Sequence, residues 1–227
     1  MIRVAGVCKS YGGVAVLQDL DLAIRPGEFV LVTGRSGAGK TTLLRLLHGA
    51  ERPDRGEVVV AGKRVPLLAR ASLPYLRRNL GFVFQDFKLL EGRTALANVT
   101  LALEVRGLGR RESWRRATQA LAAVGLAEKA ATRVELLSGG EQQRVALARA
   151  VVGEPDVILA DEPTGNLDPA QARVVLDLLG TQAARGTTVL LATHDPMVVR
   201  LAAATRLVRL ERGRPMEEES PREVGFA

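Results

Sequence analysis

Residues 28–41 read EFVLVTGRSGAGKT, and the reading of this stretch decides the fold. Residues 29–33 are a short apolar run rich in β-branched side chains, the pattern of a buried strand. The next eight residues fit G-x-x-x-x-G-K-[ST] in full. Beyond Lys40, Leu43, Leu44, Leu46 and Leu47 recur at helical spacing, and Gly49 supplies a C-cap. Strand, glycine loop, helix is the setting in which successive backbone N–H groups cradle a phosphate. The expectation is a nucleotide site. Gly34, Arg35, Ser36, Gly37, Ala38 and Gly39 surround the β-phosphate, Lys40 bridges the β- and γ-phosphates, Thr41 ligates Mg²⁺ through its hydroxyl, and Thr42 completes the set.

A second anion site lies about a hundred residues downstream, where residues 137–144 read LSGGEQQR. Ser138 is a helix-capping hydroxyl, Gly139 and Gly140 allow close approach to the backbone, and good helix formers follow from Glu141. The first N–H groups of such a helix lack internal partners, and the helix dipole favours negative charge there.

Three more candidates follow apolar strands. Asp161 and Glu162 come after residues 157–160, at the carboxyl edge where open α/β sheets bind ligands. Asp161 is expected to hold the magnesium, and Glu162 to orient or deprotonate the attacking water. His194 follows residues 187–192. Its only fellow is His48, which argues against a histidine-built metal site and leaves His194 read either as structural or, from its place at a strand end beside the glycine loop, as a γ-phosphate contact. Gln85 ends residues 80–84, and its amide can serve as a further magnesium ligand. Tyr11, in an early glycine-bounded loop, is read either as an adenine-stacking residue or as packing.

Length and composition bound the rest. The chain has 227 residues, of which 47% are hydrophobic and 25% charged, enough for one domain with a substantial core. No apolar run is long enough to span a membrane, and the N-terminus has no secretory pattern. Cys8 has no partner for an internal disulfide, which fits a reducing cytoplasm. The net charge of +7 raises anionic partners. The arginine pairs at 77–78, 110–111 and 115–116 are scattered, however, and a solvated helix face accounts for them. Residues 94–131 read as helices only, broken at 107–109 and 125, which suggests an all-helical lobe set into an α/β body. Residues 216–227 read as a mobile tail.

GRSGAGKT, Gln85, LSGGEQQR, VILADE, GNLD at 165–168 and His194, in this order, resemble the nucleotide-binding subunits of ATP-binding-cassette (ABC) systems. The resemblance covers residues 1–215, and LSGGEQQR is its most specific phrase. It implies an α/β P-loop NTPase of the ABC type, with a mixed β core, an inserted all-helical subdomain and an N-terminal antiparallel β subdomain. It divides a single domain into a core (1–90 and 155–215) and a helical subdomain (91–154). It further implies ATP and Mg²⁺ as ligands and a head-to-tail homodimer holding two ATP molecules. Ser138, Gly139 and Gly140 of one copy then serve the ATP bound at Lys40 of the other. Within the family, ERPDRGE, LRRNLGFVFQDFKLL and RTALANV resemble most the cell-division members of a branch that also holds lipoprotein-release and macrolide-export ATPases. That likeness implies an integral membrane partner of the FtsX kind. It would dock near Asp86 to Leu90, where the apolar Phe87, Leu89 and Leu90 are read either as docking side chains or as internal packing, and would hold the chain at the inner face of the plasma membrane. No specific nucleic-acid partner is expected, since neither a second cassette nor a long coiled-coil insertion is present.

Overall fold

The computed structural model describes residues 1–165 and 167–219. Asn166 of the GNLD phrase and residues 220–227 of the expected tail lie outside the described residues.

The chain opens with a long hairpin, β1 (Ile2–Tyr11) and β2 (Val14–Ile24), reversed at Gly12 and Gly13. Buried Ile2, Val4 and Val7 of β1 face buried Leu20, Leu22 and Ile24 of β2, while Arg3, Asp19 and Asp21 face solvent. β1 continues to Tyr11, which pairs with Val14, so Tyr11 ends a strand instead of sitting in a loop. The apolar pattern stops at Val7 because the far end of the hairpin is exposed, and exposure removes the signal without removing the ladder.

β3 (Phe29–Thr33) then runs into the glycine loop and α1 (Lys40–Leu47). β4 (Arg55–Val60) and the short β5 (Lys63–Arg64) return to the first sheet, whose order is β2-β1-β4-β5. After α2 (Leu73–Arg77), β6 (Leu80–Val83) begins the far edge of the second sheet. A helical stretch follows: α3 (Ala95–Glu104), α4 (Arg110–Ala123) and α5 (Gly139–Val151), with 3₁₀ turns at Ala127–Lys129 and Val134–Leu136. Gly107 and Gly125 take positive φ at the two expected breaks. The last third alternates β7 (Val157–Asp161), α6 (Pro169–Ala184), β8 (Thr188–Thr193) and α7 (Pro196–Leu201). It closes with the hairpin β9 (Arg206–Glu211) and β10 (Arg214–Glu219). The expected tail is thus corrected at its start, since the backbone of residues 216–219 belongs to β10, with Glu219 opposite Leu207.

The second sheet has the order β10-β9-β3-β8-β7-β6, parallel from β9 to β6 and antiparallel at β10. Both faces are covered, so β3, β7 and β8 read as unbroken apolar runs. One core joins Phe29, Leu31, Ile158, Ala160, Val189 and Leu191 to the helices α3 to α7. The other joins Val30, Val32, Leu159, Leu190 and Ala192 to α1 and the antiparallel sheet. Among the described residues, no helix is long and apolar enough to cross a membrane.

Candidate functional site

Parallel pairing sets Thr33 against Thr193 and Asp161 against Ala192, so the carboxyl ends of β3, β7 and β8 lie side by side. The glycine loop, the Asp161–Glu162 pair and His194 therefore share one sheet edge. The loop is shaped by its neighbours. Gly34 has φ 149°, and a Cβ there would stand 2.4 Å from the carbonyl oxygen of Leu210 on β9. Gly39, the N-cap of α1, has φ 102°, and its Cβ would come 2.6 Å from Leu17 on β2. Only glycine fits at both points. The first turn of α1 has neither a side-chain cap nor an acidic residue, which leaves its N–H groups and positive dipole end open to an anion.

Lys40 is buried, and its ammonium donates to the carbonyl oxygens of Gly34 (2.7 Å) and Arg35 (3.2 Å). It stands 3.9 Å from Oε1 of Glu162. Thr41 donates its hydroxyl to Oδ1 of Asp161 at 3.2 Å. Asp161 is buried at the end of β7, and burial pushes its carboxyl above the ordinary range, with the Thr41 hydrogen bond opposing. A buried carboxylate beside a hydroxyl suits a hard divalent cation, whose charge would hold the carboxyl ionised. Among the described residues no cluster of three His, Cys, Asp or Glu could hold a metal, so water and phosphate oxygens would supply most of a magnesium shell.

Glu162 is bound on every side. Its backbone takes a left-handed φ of 47°, a conformation costing about 1–3 kcal/mol for a non-glycine residue. Its N–H donates to Ala192 O at 2.9 Å. Thr193 donates to Oε2 at 3.0 Å, and Nδ1 of His194 lies 2.7 Å from Oε1. Thr193 is itself fully buried, and its hydroxyl accepts from the N–H of Asp195 at 3.0 Å; Asp195 in turn caps α7. His194 is exposed and, with Gly34, Arg35, Ser36, Arg209 and Arg212, lines a cavity of about 980 Å³.

The remaining candidates are placed less centrally. Gln85 lies two residues beyond β6, exposed and with no side-chain hydrogen bond among the described residues. Tyr11 donates its hydroxyl to Glu51, has Thr42 beside it, and carries the Lys9 ammonium 5.4 Å from its ring centroid. Partial burial, then the Glu51 carboxylate, raises its phenol. Ser138 starts α5 in the helical part, with no hydrogen bond to the phosphate loop among the described residues. The three apolar residues after Gln85 divide: Leu89 packs on the helical core, Phe87 is half-buried, and only Leu90 stays exposed. Of the two readings, internal packing describes Leu89, while Leu90 keeps its side chain at the surface.

Two residues with clear roles in this geometry were not singled out in the sequence. Thr193 directly precedes His194 at a strand end, a position that could have marked it. Arg149 carried no such mark. From α5 its guanidinium donates to the carbonyl oxygens of Phe87 (2.7 Å) and Lys88 (2.6 Å), both in left-handed conformation.

Comparison with known proteins agrees with this geometry. The ABC transporter family model matches residues 17–165. The cell division ATP-binding protein FtsE of Streptococcus pneumoniae (strain D39) is 41% identical over 227 residues, covering 100% of this chain and 98% of the relative. FtsE of Escherichia coli K12 is 47% identical over 196 residues, covering 86% and 88%. Among solved structures, the dimeric post-hydrolysis state of the ATP-binding cassette MJ0796 bound to ADP and Pi aligns with a TM-score of 0.91 at 36% identity, covering 100% of both chains. With a family model spanning most of its length and full-length relatives at this identity, the chain belongs to the ABC transporter family, as one of its ATP-hydrolysing ATP-binding subunits.

Proposed function

We propose that this ATPase works as a head-to-tail dimer around two Mg-ATP molecules, and that its closure drives an FtsX-like integral membrane partner in bacterial cell division, regulating peptidoglycan hydrolysis. The observation that carries the catalytic part is the Glu162 carboxylate, held at both oxygens by Thr193 and His194 beside the Lys40 ammonium. Lys40 and the loop 34–39 bind the β- and γ-phosphates; Thr41, Asp161 and Gln85 hold Mg²⁺. The ion compensates phosphate charge when bound. Glu162 aligns and deprotonates the attacking water, and His194 fixes the Glu162 carboxylate and contacts the γ-phosphate. Tyr11 packs against the adenine.

The shared site rests on two supports. Ser138, Gly139 and Gly140 form a helix start on a different part of the chain from Lys40, and the MJ0796 cassette that this chain resembles is dimeric with ADP and Pi. The division role rests on the FtsE relatives. A groove of about 320 Å³ lined by Pro74, Leu80, Leu101, Val105, Arg149 and Pro155 lies between α2, α3 and α5. It offers the membrane partner an apolar seat next to residues 86–90, and attachment there places the chain at the inner face of the plasma membrane.

Complementation tests the reading. Ser138→Arg chains keep a phosphate loop but lose the helix start, and Lys40→Ala chains do the reverse. Each alone should be inactive, and their mixture should regain ATPase activity through one complete site per mixed dimer. A mixture as dead as its components overturns the shared site.

A further inference from the structure

The start of α5 carries a charge in the wrong place for its task. Ser138 and Glu141 form a reciprocal capping box: Ser138 Oγ accepts from the Glu141 N–H at 3.3 Å, and Glu141 Oε2 accepts from the Ser138 N–H at 2.9 Å. The arrangement orders the turn and leaves the Ser138 O–H proton free to donate outward. It also fixes a carboxylate within the first turn, and hydrogen bonds from Lys129 and then Ser138 hold that carboxyl below the usual range, hence ionised. A helix start contributes about half a positive charge, so with one full negative charge added the sum is about −0.5. A site of that sign repels a triphosphate.

One residue reverses the sign. Lys129, on the 3₁₀ turn Ala127–Lys129, places its ammonium on Glu141 Oε1, the oxygen the capping box leaves free. The sum returns to about +0.5. Lys129 is half-exposed and Glu141 largely covered, with side-chain exposures of 50% and 15%.

Resting on the shared-site reading above, we propose that Lys129 is a positioning residue for the second half of the ATP site: it neutralises Glu141 so that the Ser138–Gly140 helix start can accept the γ-phosphate of a nucleotide held by another copy. It acts through Glu141 and touches no phosphate itself.

The test uses steady-state ATPase kinetics on the full chain. Lys129→Met should raise KM for ATP about fivefold with little change in kcat, and the defect should shrink at high ionic strength, where exposed charges are screened. Lys129→Arg, which keeps the charge, should stay within about twofold of the parent KM. Adding Glu141→Gln to Lys129→Met should restore KM, because glutamine still serves the capping box but carries no charge. The mixed dimer locates the effect. Placed on the Lys40→Ala chain, whose helix start is the working one, Lys129→Met should raise KM; placed on the Ser138→Arg chain it should not. A Lys129→Met enzyme with unchanged KM, a double variant as impaired as the single, or an equal effect on both chains overturns the proposal. If the mixture without Lys129→Met is already inactive, it is the shared site that fails, so the two failures are distinct.

Discussion

Nδ1 of His194 lies 2.7 Å from Oε1 of Glu162, joining the first residues beyond two adjacent parallel strands. With Thr193 donating to the other oxygen, both carboxylate oxygens are held. Glu162→Gln keeps size and hydrogen bonding but cannot take a proton. Its kcat should fall by at least about 100-fold while ATP binding persists, and the ATP-bound dimer should accumulate on size exclusion. Substantial turnover by a preparation free of contaminating ATPases would remove Glu162 from the role of base.

Thr193→Val separates positioning from chemistry. The side chain keeps its shape in a fully buried site but no longer donates to Glu162 or accepts from Asp195. The expected result is a fall in kcat of about tenfold with KM unchanged, and about 1 kcal/mol lost in chemical denaturation. A raised KM with normal kcat would place Thr193 in binding instead.

His48 provides a pH test away from the chemistry. Burial, reinforced by Arg77, pushes its imidazole down to about 4, and it stacks edge-on against Phe82 and Phe84. The folded state keeps it neutral while the unfolded chain protonates near 6.5. Acidification therefore favours unfolding, starting as pH falls through about 6.5 and levelling off near 4, with at most about 3 kcal/mol at stake. His48→Phe should lose this component, so the stability difference between parent and variant, measured by urea denaturation at pH 7.5 and 5 (about 1 unit above and about 1.5 units below the unfolded pKa), should change in favour of the variant at the lower pH. A pH-independent difference contradicts the assignment.

Arg149→Leu probes the loop after Gln85. Without the guanidinium, the carbonyls of Phe87 and Lys88 lose their donors, and the two left-handed residues lose the contact that holds them. Amide hydrogen exchange over residues 85–90 should quicken about tenfold, with the core strands unaffected. Unchanged exchange there shows that Leu89 and Asn98, which bonds both backbone groups of Leu90, suffice to order the loop.

What could be read in the sequence depended on whether a feature is local. The phosphate loop is legible because a single run of consecutive amides makes the nest, and LSGGE because a capping box spans four neighbouring residues. Asp161, Glu162 and His194 were legible one at a time as strand ends. Their meeting depends on the β7–β8 register, which no local pattern states. Lys129 and Arg149 are two among 32 basic residues, and only the fold tells which carboxylate or carbonyl each one finds. Tyr11 and the start of the tail were misplaced for a common reason: exposed strands at the margins of a sheet lose the hydrophobic alternation by which strands are recognised.

The position of β3 between β8 and β9 has a consequence for biosynthesis. Residues 29–33 leave the ribosome long before both of their ladder partners, at 188–193 and 206–211. Until then the glycine loop lacks the Leu210 carbonyl that abuts Gly34, and Lys40 lacks Glu162. Loop closure over such separations is slow to be rewarded. The first motif to be synthesised is therefore among the last to be built, and a nascent chain halted before β9 has the letters of a nucleotide site without the site.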